Sequence, residues 1–275
     1  MKKGKELLRE WVPPVILRLL TTYCLETKGV HFEGPFVSWE EAKQRSSGYD
    51  NEEILEKVLD ATLKVKRGEA VFERDSVLFN DIEYSWPATA GLMWTAARSQ
   101  GRLSVLDFGG SLGTGYWQNR KFLEGLPSVR WSVVEQRHFV EAGRKYVQGG
   151  SLGFYHGIKE CVRAENPNVV LMSSVLQYLD QPYLLLEEII ELDVENVIID
   201  LTIVSDSEEE SLYLQHVPKS IYDATYPVRI LSEEKLKKVF LSRGYSLVAA
   251  FRSINFSALS MITAEFKGFY FRKVS

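Results

Sequence analysis

Residues 104–116, SVLDFGGSLGTGY, constrain the fold more than any other stretch of this chain. The apolar run 103–106 reads as a buried strand, and an amphipathic helix begins near Thr114. Between them stand Asp107, Gly109, Gly110, Ser111 and Gly113. A buried strand that leaves its sheet and starts a helix, while a ligand touches its backbone, needs glycine for the unusual dihedrals and the close approach. The helix then aims its free amides and the positive end of its dipole at that ligand.

A loop that cradles a pyrophosphate has the spacing GxGxxG. This one has Gly109, Gly110 and Gly113, with Asp107 at the strand tip. An acid there repels a pyrophosphate but suits the methionine ammonium of S-adenosylmethionine. A glycine-rich turn with no ligand is the plainer alternative. A second acid, Glu135, ends the apolar run 131–134 and lies 22 residues beyond Gly113. That position suits the two ribose hydroxyls of a nucleoside, with Gln136 beside it. Phe154 and Tyr155 end the next run, 152–155, where they either flank an adenine or fill the core. Ser173 and Ser174 follow the run 169–172, at the carboxyl edge where ligands collect in this class of sheet.

The order of elements supports a Rossmann-like reading. Apolar runs at 103–106, 131–134, 152–155, 169–172 and 197–199 alternate with helical patterns from Thr114, at 139–147 and at 182–192. Such alternation means βαβ units and a parallel sheet. After a capped helix at 232–243, two strand-like runs, 245–251 and 264–271, follow with no helix between them, which predicts a closing antiparallel pair. A mostly parallel sheet with an antiparallel terminal strand is the layout of class I methyltransferases. The domain organisation expected is a helical N-terminal extension over 1–100 and a cofactor-binding domain over 101–275. In the extension, Ser38 heads a capping-box pattern with Glu41. Ile54, Leu55, Val58, Leu59 and Leu63 form one helical stripe, and a helix is predicted from Asn80 to near Gly101. Residues 68–79, GEAVFERDSVLF, place three charges between apolar flanks; buried charges need partners, in a helix-end ion-pair network or in a substrate.

Composition narrows the partners. A net charge of −4 and a pI near 5.7 give no basic face for nucleic acid. Residues 164–218 carry no Lys or Arg but twelve acids, which reads as solvated helix faces. Two cysteines, Cys24 and Cys161, have no metal-ligand spacing and fit reduced thiols in a cytoplasm. The apolar stretch 11–20 holds two prolines and Arg18 and is too short to span a bilayer. With Lys2, Lys3, Lys5 and Arg9 before it, peripheral membrane contact is one reading and a helix docked on the protein the preferred one.

Seven strings together resemble a family of methyltransferase-like proteins encoded among bacterial surface-polysaccharide (O-antigen and capsule) genes. They are GPFVSWEEA at 34–42, SGYD at 47–50, GEAVFERDSVLF at 68–79, VLDFGGSLGTGYWQNR at 105–120, VVEQ at 133–136, SSVLQYL at 173–179 and QHVPKSIYDATYP at 215–227. The resemblance spans nearly the whole chain. It implies a methyltransferase using S-adenosylmethionine on a surface-glycan sugar or its nucleotide-sugar or lipid-linked precursor. It also implies cofactor contacts from Asp107, Gly109, Gly110, Gly113 and Glu135. One departure stands out: Ser111 replaces the middle glycine of the usual acid-x-Gly-x-Gly-x-Gly loop.

Methyl transfer to a hydroxyl or amine needs an in-line approach and often a base. The candidates are His216 and Tyr222, in a segment, 215–226, expected to form a lid over the cofactor. His156 is a lesser candidate, and Tyr178 and Tyr226 are suited to shaping a sugar site. Two readings compete with the transferase: a cofactor-fold module in polysaccharide assembly that has lost transfer, and a nicotinamide-dependent oxidoreductase.

Overall fold

The computed structural model describes residues 30–48, 52–218, 221, 224–253 and 262–274. The apolar stretch 11–20, Cys24, Lys219 and the candidate Tyr222 lie outside the described residues.

The elements run, in chain order, β1 (His31–Phe36), α1 (Trp39–Gln44), α2 (Glu52–Lys66), β2 (Phe72–Arg74), β3 (Val77–Phe79), α3 (Trp86–Arg98), β4 (Arg102–Phe108) and α4 (Thr114–Leu123). They continue with β5 (Ser128–Val134), α5 (Arg137–Ala142, extended by a π-helical turn over Gly143–Val147), β6 (Leu152–Tyr155), α6 (Ile158–Glu165), β7 (Val169–Ser173), a 3₁₀ turn (Leu176–Tyr178) and α7 (Pro182–Glu191). The chain then forms β8 (Asn196–Ser205), β9 (Ser211–Val217), β10 (Ala224–Ser232), α8 (Glu233–Leu241), β11 (Tyr245–Arg252) and β12 (Glu265–Lys273).

Strands β6, β5, β4, β7 and β8 lie side by side and parallel; β12 runs antiparallel along β8, and β11 antiparallel along β12. This is the mostly parallel sheet with a reversed terminal strand expected from the order of apolar runs. The runs form strands because they are buried on both faces. Successive side chains of β4 alternate: Leu103 and Val105 pack on the face covered by α2, α3, α4 and α5, and Leu106 on the face covered by α6, α7 and α8. Trp131, Phe154, Phe240, Phe269 and Phe271 are among the largest fully buried side chains. Each large apolar side chain so buried contributes about 1.5–3 kcal/mol. Ser38 caps α1 by accepting from the Glu41 amide at 3.1 Å, while Glu41 Oε2 reaches back to the Val37 amide rather than to Ser38 itself. Ser232 caps α8. Pro87 opens α3, so that helix starts at Trp86, later than Asn80.

Two features correct the expectation of a helical first hundred residues. β1 is a strand that pairs antiparallel with β9, so the extension joins the main sheet. β2 and β3 form a two-stranded hairpin whose two turn residues, Asp75 and Ser76, both have positive φ (51° and 67°). That is the turn geometry matching the twist of paired strands. The expected lid is also sheet: Gln215, His216 and Val217 are in β9, facing Tyr226, Thr225 and Ala224 of β10.

β8 carries this added layer. Its first half, Asn196–Asp200, pairs with β7. At Leu201 the backbone takes a φ of 49°, and past that point Val204 and Ser205 pair with Leu231 and Ser232 of β10. β10, β9 and β1 therefore form a wall beyond the carboxyl end of β7. The wall has its own small core of Ile203, Val228 and Ile230, with Phe32 and Tyr178 packed against it. Among the described residues no helix is long and apolar enough to cross a membrane.

Candidate functional site

β4 lies between β5 and β7, where the strand order reverses, and the glycine loop leaves from its carboxyl end. This is the topological switch point at which open α/β sheets bind ligands. Three loop residues are left-handed, Gly109, Ser111 and Gly113, with φ of 72°, 54° and 90°. Leu112 is fully buried and pins the loop's middle. A Cβ at Gly109 would lie 2.5 Å from Val175, and one at Gly110 would lie 2.4 Å from the Asp107 carboxylate. Ser111 thus occupies a backbone conformation usually left to glycine, which is how the loop closes with its glycines shifted.

Asp107 is almost fully buried beneath Gly110, and the Trp131 indole donates to its Oδ2 at 2.8 Å. Burial pushes this carboxyl up to about 7, the indole bond pulls it back in part, and the Glu135 charge adds to the rise. Glu135 stands half-buried at the end of β5, where its Oε2 accepts from the Gln136 amide at 2.6 Å. Gln136 is exposed and caps α5. Ser173 ends β7, and Ser174 follows with a φ of 55°, its amide donating to Asp200 O. Gln177 Nε2 donates to Ser174 Oγ at 3.3 Å and to Leu201 O at 3.1 Å.

Phe154 and Tyr155 go to opposite faces of the sheet. Phe154 fills the core under Gly143, and the Tyr155 hydroxyl donates to Glu165 at the end of α6. Adjacent strand residues point opposite ways, so the two rings do not flank one adenine between them. His216 is corrected as well. Its ring stacks on His31 at 4.3 Å, and Nε2 lies 3.0 Å from Glu33 Oε2, within the wall rather than in a lid. His156 is exposed after β6, its amide donating to Glu160.

What the structure brings to the carboxyl edge is a set of acids and phenols. Glu73, on β2, is 1% exposed, and Thr114 Oγ1 at the first turn of α4 donates to its Oε1 at 2.6 Å. Its Oε2 is buried with no hydrogen-bond partner. Burial pushes the Glu73 carboxyl up to about 7, the Thr114 bond opposes this, and the Asp75 charge adds to it. Arg74 next to it turns away, 3.7 Å from Glu83 and over the Phe72 ring. Asp75 also raises Tyr178, whose phenol is pushed up to about 12 chiefly by burial. The Tyr178 hydroxyl donates to Gln215 Oε1 at 3.2 Å, and Gln215 Nε2 donates to the Tyr226 hydroxyl at 3.3 Å. Asp200, raised by burial, accepts from Ser253 at 2.7 Å. Beside it opens a cavity of about 370 Å³ lined by Tyr84, Ser85, Trp86 and Arg252 among others. Among the described residues no cluster of side chains fits a metal ion.

The charged triplet 73–75 is visible in the sequence; its attachment to the glycine loop is not, because Glu73 and Thr114 are 41 residues apart.

No protein-family model matches the chain, and no curated protein matches it by sequence. Solved structures do. Magnesium protoporphyrin IX methyltransferase (ChlM) from Synechocystis PCC 6803, with bound SAM, is 10% identical over 79% of this chain and 97% of its own, with a TM-score of 0.46. The CcbJ methyltransferase from Streptomyces caelestis is 14% identical over 70% and 94%, with a TM-score of 0.44. The 1,6-didemethyltoxoflavin-N1-methyltransferase of Burkholderia thailandensis, with bound S-adenosylhomocysteine, is 13% identical over 88% and 93%, with a TM-score of 0.40.

Proposed function

We propose that this protein is an S-adenosylmethionine-dependent methyltransferase acting on a small hydroxyl- or amine-bearing acceptor, a sugar of a surface glycan or its precursor. The observation that carries the reading is the glycine loop leaving β4 at the switch point of a sheet whose terminal strand is reversed. The residues fit the cofactor. The loop backbone and the first turn of α4 offer amides to a carboxylate, and Glu135 at the tip of β5 suits ribose hydroxyls. Bound there, the cofactor supplies a methyl group on a sulfonium centre.

Charge separates this reading from a nicotinamide enzyme. Glu73, Asp75, Asp107 and Asp200 gather at the carboxyl edge, and the Arg74 charge offsets Glu73, Asp75 and Asp200 only in part. Such an edge disfavours a dianionic pyrophosphate and favours a cationic ligand. The sugar acceptor draws support from the family resemblance and from the cavity by Asp200, where Tyr84 and a largely exposed Trp86 offer aromatic faces and Arg252 a cation. Tyr178, Gln215 and Tyr226, hydrogen-bonded in series, add hydroxyl and amide groups suited to a sugar.

Calorimetry with S-adenosylhomocysteine and NAD tests the cofactor: the first is expected to bind and the second not. Glu135→Ala is expected to raise the S-adenosylhomocysteine Kd about ten- to a hundredfold, since a hydrogen bond to a charged group is worth on the order of 1.5–3 kcal/mol. An unchanged Kd would remove Glu135 from the site. Labelled methyl transfer to extracted surface glycan tests the acceptor; cofactor binding without transfer to glycan would leave the fold reading and remove the sugar.

A further inference from the structure

The acid expected to meet the cofactor's ammonium group, Asp107, is poorly placed for it. Its Oδ2 already accepts from the Trp131 indole, and Gly110 sits directly over the carboxylate, where a Cβ would meet both oxygens within 2.8 Å. Asp107 holds the loop from below.

Glu73 differs in each respect. One oxygen is fixed by Thr114, the residue immediately after Gly113, and the other is buried with no partner. An unpaired carboxylate oxygen inside a protein is costly unless a cation or donor arrives. Among the described residues no neighbouring side chain completes a hydrogen bond to Oε2. Arg74 is engaged with Glu83, Asp75 is itself an acid, and α4 presents the Thr114 hydroxyl, already used. The Ser76 amide opposes the rise in Glu73 only in part.

We propose that Glu73, reaching in from the β2–β3 hairpin outside the Rossmann-like sheet, receives the α-ammonium of the cofactor's methionine portion. This rests on the cofactor reading above. The amino-acid portion of the ligand lies along the loop between Gly110 and Thr114, so its ammonium comes beside the unpartnered Glu73 Oε2. The hairpin is then half of the cofactor site.

The test compares S-adenosylhomocysteine with its deaminated analogue, which lacks only the α-amino group, in calorimetry on the full chain. The wild-type protein is expected to prefer S-adenosylhomocysteine, and Glu73→Gln to lose that preference by tenfold or more. Gln keeps the Thr114 bond and the volume but offers the ligand an amide donor instead of a charge. The analogue's Kd is expected to stay within about twofold. Asp107→Asn is expected to retain the preference. If Glu73→Gln keeps the wild-type preference, or Asp107→Asn alone loses it, the proposal fails while the cofactor reading stands. If the wild-type protein binds neither ligand, the cofactor reading fails and takes the proposal with it.

A second measurement needs no variant. S-adenosylhomocysteine binding near pH 7 is expected to release a fraction of a proton, read from the heat in buffers of different ionisation enthalpy. The deaminated analogue is expected to release measurably less.

Discussion

Gly113 illustrates how a side chain's absence is set by two demands at once. Its φ of 90° and a Cβ approach of 3.0 Å to Leu152 are both features of the folded chain without ligand. Gly113→Val is therefore expected to cost about 1–3 kcal/mol of stability, besides any loss of cofactor affinity. A urea midpoint equal to wild type would contradict this. Glu73 makes a prediction in pH. Its ordinary value is 4.5 and its folded value about 7, so the folded chain holds the proton longer than the unfolded one. The stability this confers is full below about 4.5 and is lost as pH rises through 7, on the order of 3 kcal/mol. Asp107 slopes the same way. Glu73→Gln is expected to shrink, without abolishing, the fall in the ligand-free protein's urea midpoint between pH 5 and pH 8. Equal falls in variant and wild type would mean that Glu73 is ionised throughout.

At the scale of elements, legibility followed how local each signal is. The glycine loop and the five parallel strands announce themselves through continuous apolar runs and glycine spacing, which depend on near neighbours in sequence. β9 and β10 do not. Their residues mix apolar, polar and aromatic side chains, with Pro227 inside β10 and Pro218 just after β9, and they become strands by pairing with each other, with β1 some 180 residues away, and with the overhang of β8. The β2–β3 turn lacks the glycine that usually marks a two-residue hairpin, since Asp75 and Ser76 take the positive φ themselves. Glu73, Asp75, Asp107 and Glu135 stood out in the sequence and Asp200 did not; which acid is left unpaired was not legible either, because that depends on Trp131 and Thr114. Placing His216 in a strand reverses its expected role. His216→Ala is expected to change methyl transfer less than about twofold and stability by less than about 1 kcal/mol, as for other partly exposed polar pairs. A tenfold loss of transfer would return the histidine to the chemistry.

Across the whole molecule, β1 closes the outer edge of β9, which would otherwise present an open row of amides and carbonyls. A chain beginning at residue 37 keeps Glu73 and the glycine loop but loses that cover. It is expected to self-associate in light scattering while binding S-adenosylhomocysteine within about twofold of the full chain. A monodisperse product would mean that β9 tolerates an open edge.

The bend at Leu201 gives β8 a different neighbour along one flank of each half. β12 runs along both halves, while the other flank passes from β7 upstream to β10, the root of the β9–β10 wall, downstream. An engineer could treat that bend as a seam, exchanging the 206–230 stretch as a cassette to retarget the acceptor. The glycine loop and Glu135 would stay on the near side of the cut.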